Sequence, residues 1–72
     1  MKYNRNMKFA ERLKELRKER NMSQMDLSFA TDISQSAIAK WELEKTEPTA
    51  SYIIALAEFF GETTDFLLGL SD

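Results

Sequence analysis

Neither cysteine nor histidine occurs in this 72-residue chain. Their absence removes disulfides, the usual zinc ligand sets and every nucleophile–base pair that relies on a thiol or an imidazole. Proline occurs once and glycine twice, too sparse for a disordered linker or a low-complexity tract. No apolar run approaches the roughly 18 residues of a membrane span. Residues 1–20 carry Glu11, Glu15 and Glu19 where a signal peptide would have an apolar centre. There is no phosphate-binding glycine loop, and Glu42, Glu44 and Glu47 surround a loop without a supporting ligand cluster. The expectation is a cytoplasmic, non-enzymatic domain with no cofactor, no metal and no membrane partner.

Hydrophobic residues make up 43% of the chain, enough for one economical core and one domain. The net charge of −2 speaks against an anionic partner, but the charge is unevenly placed. Residues 1–20 hold eight basic residues against three acids, whereas residues 21–72 hold two against nine. Phosphate binding responds to the local face and not to the total. With only Lys40 and Lys45 in the later part, any non-specific affinity for nucleic acid should be modest.

Residues 1–6, MKYNRN, lack a periodic apolar pattern and read as a short loose arm. From Met7 to Arg20, Phe9, Leu13 and Leu16 recur at helical spacing. Glu11, Glu15 and Glu19 interleave with Arg12, Lys14 and Lys18 as i,i+3 and i,i+4 pairs on the wet face. Asn21 tolerates a positive φ and suits a left-handed stop. Ser23 then caps a second helix, with Asp26 at capping-box spacing. Leu27, Ala30 and Thr31 form its inner side, and Phe29 is partly covered. In the turn from Thr31 to Ser34, Asp32 takes the strained conformation, Ile33 anchors the core and Ser34 caps the third helix.

Ala37, Ile38 and Trp41 continue the inner face, Trp41 as a packing residue at the core edge. Met22 and Met25 read as adaptable filler. Pro48 ends a polar link, and Thr49 caps a fourth helix that buries Ile53, Leu56, Ala57 and Phe60. Gly61 terminates it. Thr63 caps a last short helix, Thr64 to Leu68, with Phe66 and Leu67 inside and Gly69 closing it. Five helices with short connections predict a compact all-α globule.

The stretch SQMDLSFATDISQSAIAKWE, residues 23–42, is therefore two short helices about a tight turn. With Ile38 and Trp41 inward, Gln35, Ser36, Ala39 and Lys40 face out, a surface suited to the major groove of DNA. Gln35 has the donor and acceptor to pair with adenine, Lys40 reaches guanine acceptors or a phosphate, and Ser36 is permissive. From the residues alone the same face is equally a solvated helix surface, and both readings stand.

Four blocks in order, FAERLKELRKERNMSQ, SQSAIAKWE, EPTASYIIALAEFF and GETTDFLLG, resemble the Xre/Cro-type helix-turn-helix family of phage and bacterial transcription regulators. The resemblance covers about residues 7–70 and implies a five-helix lambda-repressor-like DNA-binding domain. It implies base contacts from Gln35, Ser36, Ala39 and Lys40, and phosphate contacts from Gln24, Ser34, Lys45, Thr46 and Arg17. Gln24 opens a helix, where backbone N–H groups and the helix dipole favour an anion; Ser51 and Tyr52 are weaker candidates of the same kind. It also implies a partly buried ion pair between Arg17 and Glu42 that holds the first helix to the third.

The partner so implied is double-stranded DNA, bound by a homodimeric repressor. Phe66, Leu67 and Leu70 of the closing segment, with Leu68, are more apolar than a monomer needs and are the expected dimer surface. Three positions depart from the family pattern: Asp32 and Glu44 stand where glycine is usual, and Glu62 replaces an apolar residue. Glu44 sets a negative charge where phosphates should pass. It favours the alternative of an antitoxin or co-regulator whose main partner is protein.

Overall fold

A computed structural model of the protein describes Tyr3 and residues 7–71. Among these residues there are five α-helices and no strand: α1 (Phe9–Glu19), α2 (Gln24–Thr31), α3 (Gln35–Glu42), α4 (Ala50–Phe60) and α5 (Thr64–Leu67). The helix starts follow local chemistry. The Ser23 hydroxyl accepts from the Asp26 amide while the Asp26 carboxylate accepts from the Ser23 amide, each at 2.9 Å, a complete capping box. Ser34 accepts from the Ala37 amide and Thr63 from the Phe66 amide. Thr49 holds the extended conformation before α4, but its side chain makes no capping bond.

Each helix stops on a residue with positive φ, and only two of the five are glycine: Asn21 (55°), Asp32 (61°), Glu44 (59°), Gly61 (70°) and Gly69 (82°). After α1, α3, α4 and α5 the chain closes with the same pair of bonds. After α3, for example, the Glu44 amide donates to the Trp41 carbonyl and the Lys45 amide to the Lys40 carbonyl. This Schellman pairing satisfies two carbonyls that the helix itself leaves open. The α2 stop uses one bond, from the Asp32 amide to the Ser28 carbonyl at 2.8 Å. A chain short of glycine thus still makes five left-handed stops, and the least suited occupant is Glu44.

The core joins Leu13 and Leu16 of α1, Leu27 of α2, Ile38 and Trp41 of α3, Leu56, Ala57 and Phe60 of α4, and Phe66 and Leu67 of α5, with Ile33 from the turn. Burial of each large aliphatic or aromatic side chain contributes about 1.5–3 kcal/mol. This core fixes α3 by its Ile38–Trp41 side and leaves the opposite side to solvent.

Four expectations need correction. Arg12 is not on the wet face; it is 0% exposed. Its guanidinium donates to the carbonyls of Met7 (3.0 Å), Phe66 (2.8 Å) and Ser71 (2.6 Å) and lies 4.7 Å above the Phe66 ring, tying both ends of the chain together. Phe29 is 81% exposed and Ala30 is exposed as well, because α2 reaches the core through Leu27. Phe66 and Leu67 are buried in the monomer, where they fill the space beneath α4 and α1, so they offer nothing to a second subunit; Leu68 and Leu70 are the exposed pair. Finally, α5 ends at Leu67 and α1 starts at Phe9, one residue short and two residues late of the expected limits.

The loose arm expected at residues 1–6 lies outside the described residues except for Tyr3. That ring meets Phe66 edge-on at 4.8 Å, and its hydroxyl donates to Glu19 at 3.1 Å. Burial, and then the Glu19 carboxylate, hold the phenol protonated well above its usual range. Among the described residues, no helix is long and apolar enough to cross a membrane.

Candidate nucleic-acid interface

Helix α3 presents Gln35, Ser36, Ala39 and Lys40 on one side, Ser36 and Lys40 exposed and the other two half-buried. Ile38 and Trp41 point into the core. The four expected base-contacting residues therefore share one outward face. Ser34, the cap of α3, is exposed at its leading end. Lys45 and Thr46 are exposed directly after α3, but Glu44 and Glu47 are exposed beside them, so this loop carries mixed charge. Tyr52 packs partly against Trp41, with ring centroids 5.2 Å apart, and steadies the junction of α3 with α4.

Behind α3, Arg17 and Glu42 form the expected brace. Arg17 Nε donates to Glu42 Oε2 at 2.9 Å and Nη2 to Oε1 at 2.8 Å, a two-point contact across 25 positions of sequence. The two side chains are 12% and 2% exposed. Arg17 Nη1 also donates to the Met22 carbonyl at 2.9 Å, so one side chain binds α1, the loop before α2, and α3. Its hydrogen bonds to Glu42 raise the guanidinium pKa further above its ordinary value.

The brace continues outward. Gln24 Nε2 donates to Glu42 Oε1 at 3.0 Å, and Gln35 Nε2 donates to Gln24 Oε1 at 2.8 Å. A line of hydrogen bonds therefore runs from a nearly buried carboxylate to the first residue of α3. Gln24, expected to serve phosphate, has both its oxygen and its amide engaged within the protein. The signal for this contact lay in a repeated Ser-Gln, Ser23-Gln24 and Ser34-Gln35, which puts a glutamine at the first position of both helices.

Two further arginines, Arg12 of α1 and Arg20 immediately after it, support the frame and escaped the sequence reading. Arg12 stands at the i+3 position of the Phe9–Leu13–Leu16 stripe, so its inward direction was available from helical spacing. Arg20 donates to the Phe60 carbonyl at 2.9 Å and stacks 5.0 Å from its ring. It places a cation at the negative end of α4, and no local pattern marks it.

Fold and face together define a helix-turn-helix domain of the lambda-repressor-like class. A helix-turn-helix family model matches residues 13–67, most of the chain, and the protein belongs to that family, in its Xre/Cro-like branch. Similar proteins include the HTH-type transcriptional activator BcrR of Enterococcus faecalis, 37% identical over 62 residues, which covers 86% of this chain and 30% of BcrR. The SPbeta prophage-derived HTH-type regulator YonR of Bacillus subtilis (strain 168) is 35% identical over 60 residues, 83% of this chain and 56% of YonR. Among solved structures, the P22 c2 repressor in complex with a synthetic operator superimposes with a TM-score of 0.81 at 29% identity, covering 90% of this chain and 98% of that one. The chain spans between 30% and 57% of the length of the curated relatives it matches.

Proposed function

We propose that this protein is a cytoplasmic, sequence-specific binder of double-stranded DNA that regulates transcription, most simply as a homodimeric repressor on a near-palindromic operator. The observation that carries the reading is the outward face of α3: four small or polar residues on a helix whose other side is held by the core and by the Arg17–Glu42 brace. Similarity over nearly the whole chain to a repressor solved on its operator supports it. In this reading α3 lies in the major groove, and Gln35, Ser36, Ala39 and Lys40 meet base edges. Ser34, Lys45 and Thr46, all exposed, would serve the flanking phosphates, with a minor share from Arg17, most of whose donors are engaged internally.

A dimer would place two such helices about one helical turn apart, about 34 Å. Its surface would use Leu70, 65% exposed, and Leu68, which is exposed just after α5 and shares a groove with Ile54 of α4. Selection of bound sequences from random duplex DNA, followed by a salt titration of the winner, tests the whole reading. A symmetric motif with a salt-dependent affinity supports it; enrichment of no motif refutes it.

The exposed Glu44 favours a second reading, a protein-interaction module of the antitoxin or co-regulator kind. Replacing Gln35, Ser36 and Lys40 together by alanine separates the two. A folded triple variant that keeps its DNA affinity would eliminate the α3 face as the reader.

A further inference from the structure

Two adjoining cavities lie where the start of α1, the loop between α3 and α4, and the end of α5 meet. One, of about 430 Å³, is walled by Phe9, Trp41, Pro48, Ile53 and Leu68, with Lys8, Glu44 and Glu47 in its polar lining. The other, of about 410 Å³, is lined by Pro48, Ala50, Ile53, Ile54, Thr64 and Leu68 and carries no charged residue. Pro48, Ile53 and Leu68 wall both, so the two form one trough with a charged end and an apolar end. Each part falls in the size range of small-molecule sites, which are mostly apolar with a few placed polar groups.

The charged end has a sign. Glu44 and Glu47 outnumber Lys8, and neither carboxylate has a hydrogen-bond or ion-pair partner among the described residues. The backbone that carries Glu44 is also fixed. Its amide donates to the Trp41 carbonyl at 3.0 Å, and its φ of 59° belongs to the stop that closes α3. The charge is therefore set in place before any ligand arrives, which lowers the cost of binding. A molecule that complements the trough brings a positive head and a narrow apolar body.

We propose that the trough binds an organic cation with a linear hydrocarbon tail. The head meets Glu44 and Glu47, and the tail runs over Pro48, Ile53 and Leu68 towards Ile54. This goes beyond the DNA-binding reading and stands without it. It touches that reading at one point, since Leu68 and Ile54 are also the side chains offered to a second copy.

The test uses n-octylammonium chloride, with 1-octanol and octanoate as its neutral and anionic counterparts. Trp41 is the chain's single tryptophan and part of the wall, so its fluorescence reports occupancy, and backbone amide NMR shifts locate it. Octylammonium should bind saturably and several-fold more tightly than octanol, with octanoate weakest. Decylammonium should bind about ten-fold more tightly than octylammonium, the effect of burying two further methylenes. Salt should weaken the cations and leave octanol unchanged. Glu44→Gln and Glu47→Gln should each cost about two- to five-fold, as exposed charge pairs do.

Leu68→Ala should weaken every probe, whereas Leu43→Ala, at an exposed leucine that lines neither cavity, should change none. Thermal melts check that each variant is folded. Octanoate binding as tightly as octylammonium overturns the proposal. So do amide shifts centred on Met25 and Phe29, the exposed apolar side chains of α2. No saturable response overturns it too, and sedimentation at the same concentrations then shows whether a second copy holds the trough.

Discussion

Replacing Arg17 by alanine should destabilise the whole domain and not merely loosen one surface pair. The substitution removes two charge-assisted bonds to Glu42 and one to the Met22 carbonyl. It leaves a carboxylate that is 2% exposed with Gln24 as its remaining donor. Breaking a buried pair by deleting one partner costs about 3–5 kcal/mol. Because Arg17 keeps 12% exposure and Gln24 still donates, the low end, about 3 kcal/mol, is expected. A domain of this size has a total stability of roughly 4–11 kcal/mol, so the loss is a large share of it. At about 4–8 °C per kcal/mol, the melting temperature should drop by roughly 12–24 °C. Urea unfolding followed by circular dichroism measures the loss directly. The double variant Arg17→Met with Glu42→Leu should recover most of it, since an apolar replacement of a buried pair is often neutral. A cost for Arg17→Ala below about 1 kcal/mol, typical of an exposed pair, would refute the brace.

Three other outcomes are expected. Glu44→Gly should stabilise the domain by about 0.5–1 kcal/mol by removing a non-glycine residue from the left-handed region, and should tighten any duplex binding by removing a negative charge; a lower urea midpoint would contradict this. Hydrogen bonds from the Ser23 amide and hydroxyl hold the Asp26 carboxyl below its ordinary value of 3.8. Since a depressed carboxyl stabilises the fold above its unfolded pKa and loses that effect as pH falls through its folded one, the start of α2 should fray in acid; an NMR titration of Asp26 should have its midpoint below 3.8 and move up in Ser23→Ala. Leu70→Lys, at a 65% exposed position, should alter monomer stability by no more than about 0.5 kcal/mol while shifting sedimentation towards the monomer, and unchanged association would remove Leu70 from the dimer surface.

Most of the helical frame was legible because it rests on local signals. Ser23, Ser34 and Thr63 are caps whose effect is confined to three residues, and Ile53, Leu56, Ala57 and Phe60 form a stripe that any helical wheel reveals. The positive φ at Asn21 and Asp32 was anticipated for the same reason. The misreadings share a different cause. Arg12 was assigned to solvent by its charge, although its partners are carbonyls 5, 54 and 59 positions away, and charge patterning on one helix says nothing of distant backbone. Phe66 and Leu67 looked surplus because the volume to be filled under α5 depends on how α1 and α4 approach it. In the reading face, side-chain type indicated the direction of Gln35, but its link to Gln24 required the crossing of α2 and α3.

The arginines of α1 and of the residue that caps its end carry one more consequence. Arg12, Arg17 and Arg20 are turned onto the protein's own carbonyls, carboxylate and rings. The cations of the described residues left facing solvent, wholly or in part, are Lys8, Lys14, Arg17, Lys18, Arg20, Lys40 and Lys45. With only Lys40 and Lys45 as cations on α3 and the loop that follows it, a duplex reader of this kind would release few counterions from that face on random sequence. It should dwell there briefly and spend more of its search in free diffusion than in sliding. Target occupancy would then follow copy number closely, so a modest change in expression would read out directly as a change in the fraction of operators filled.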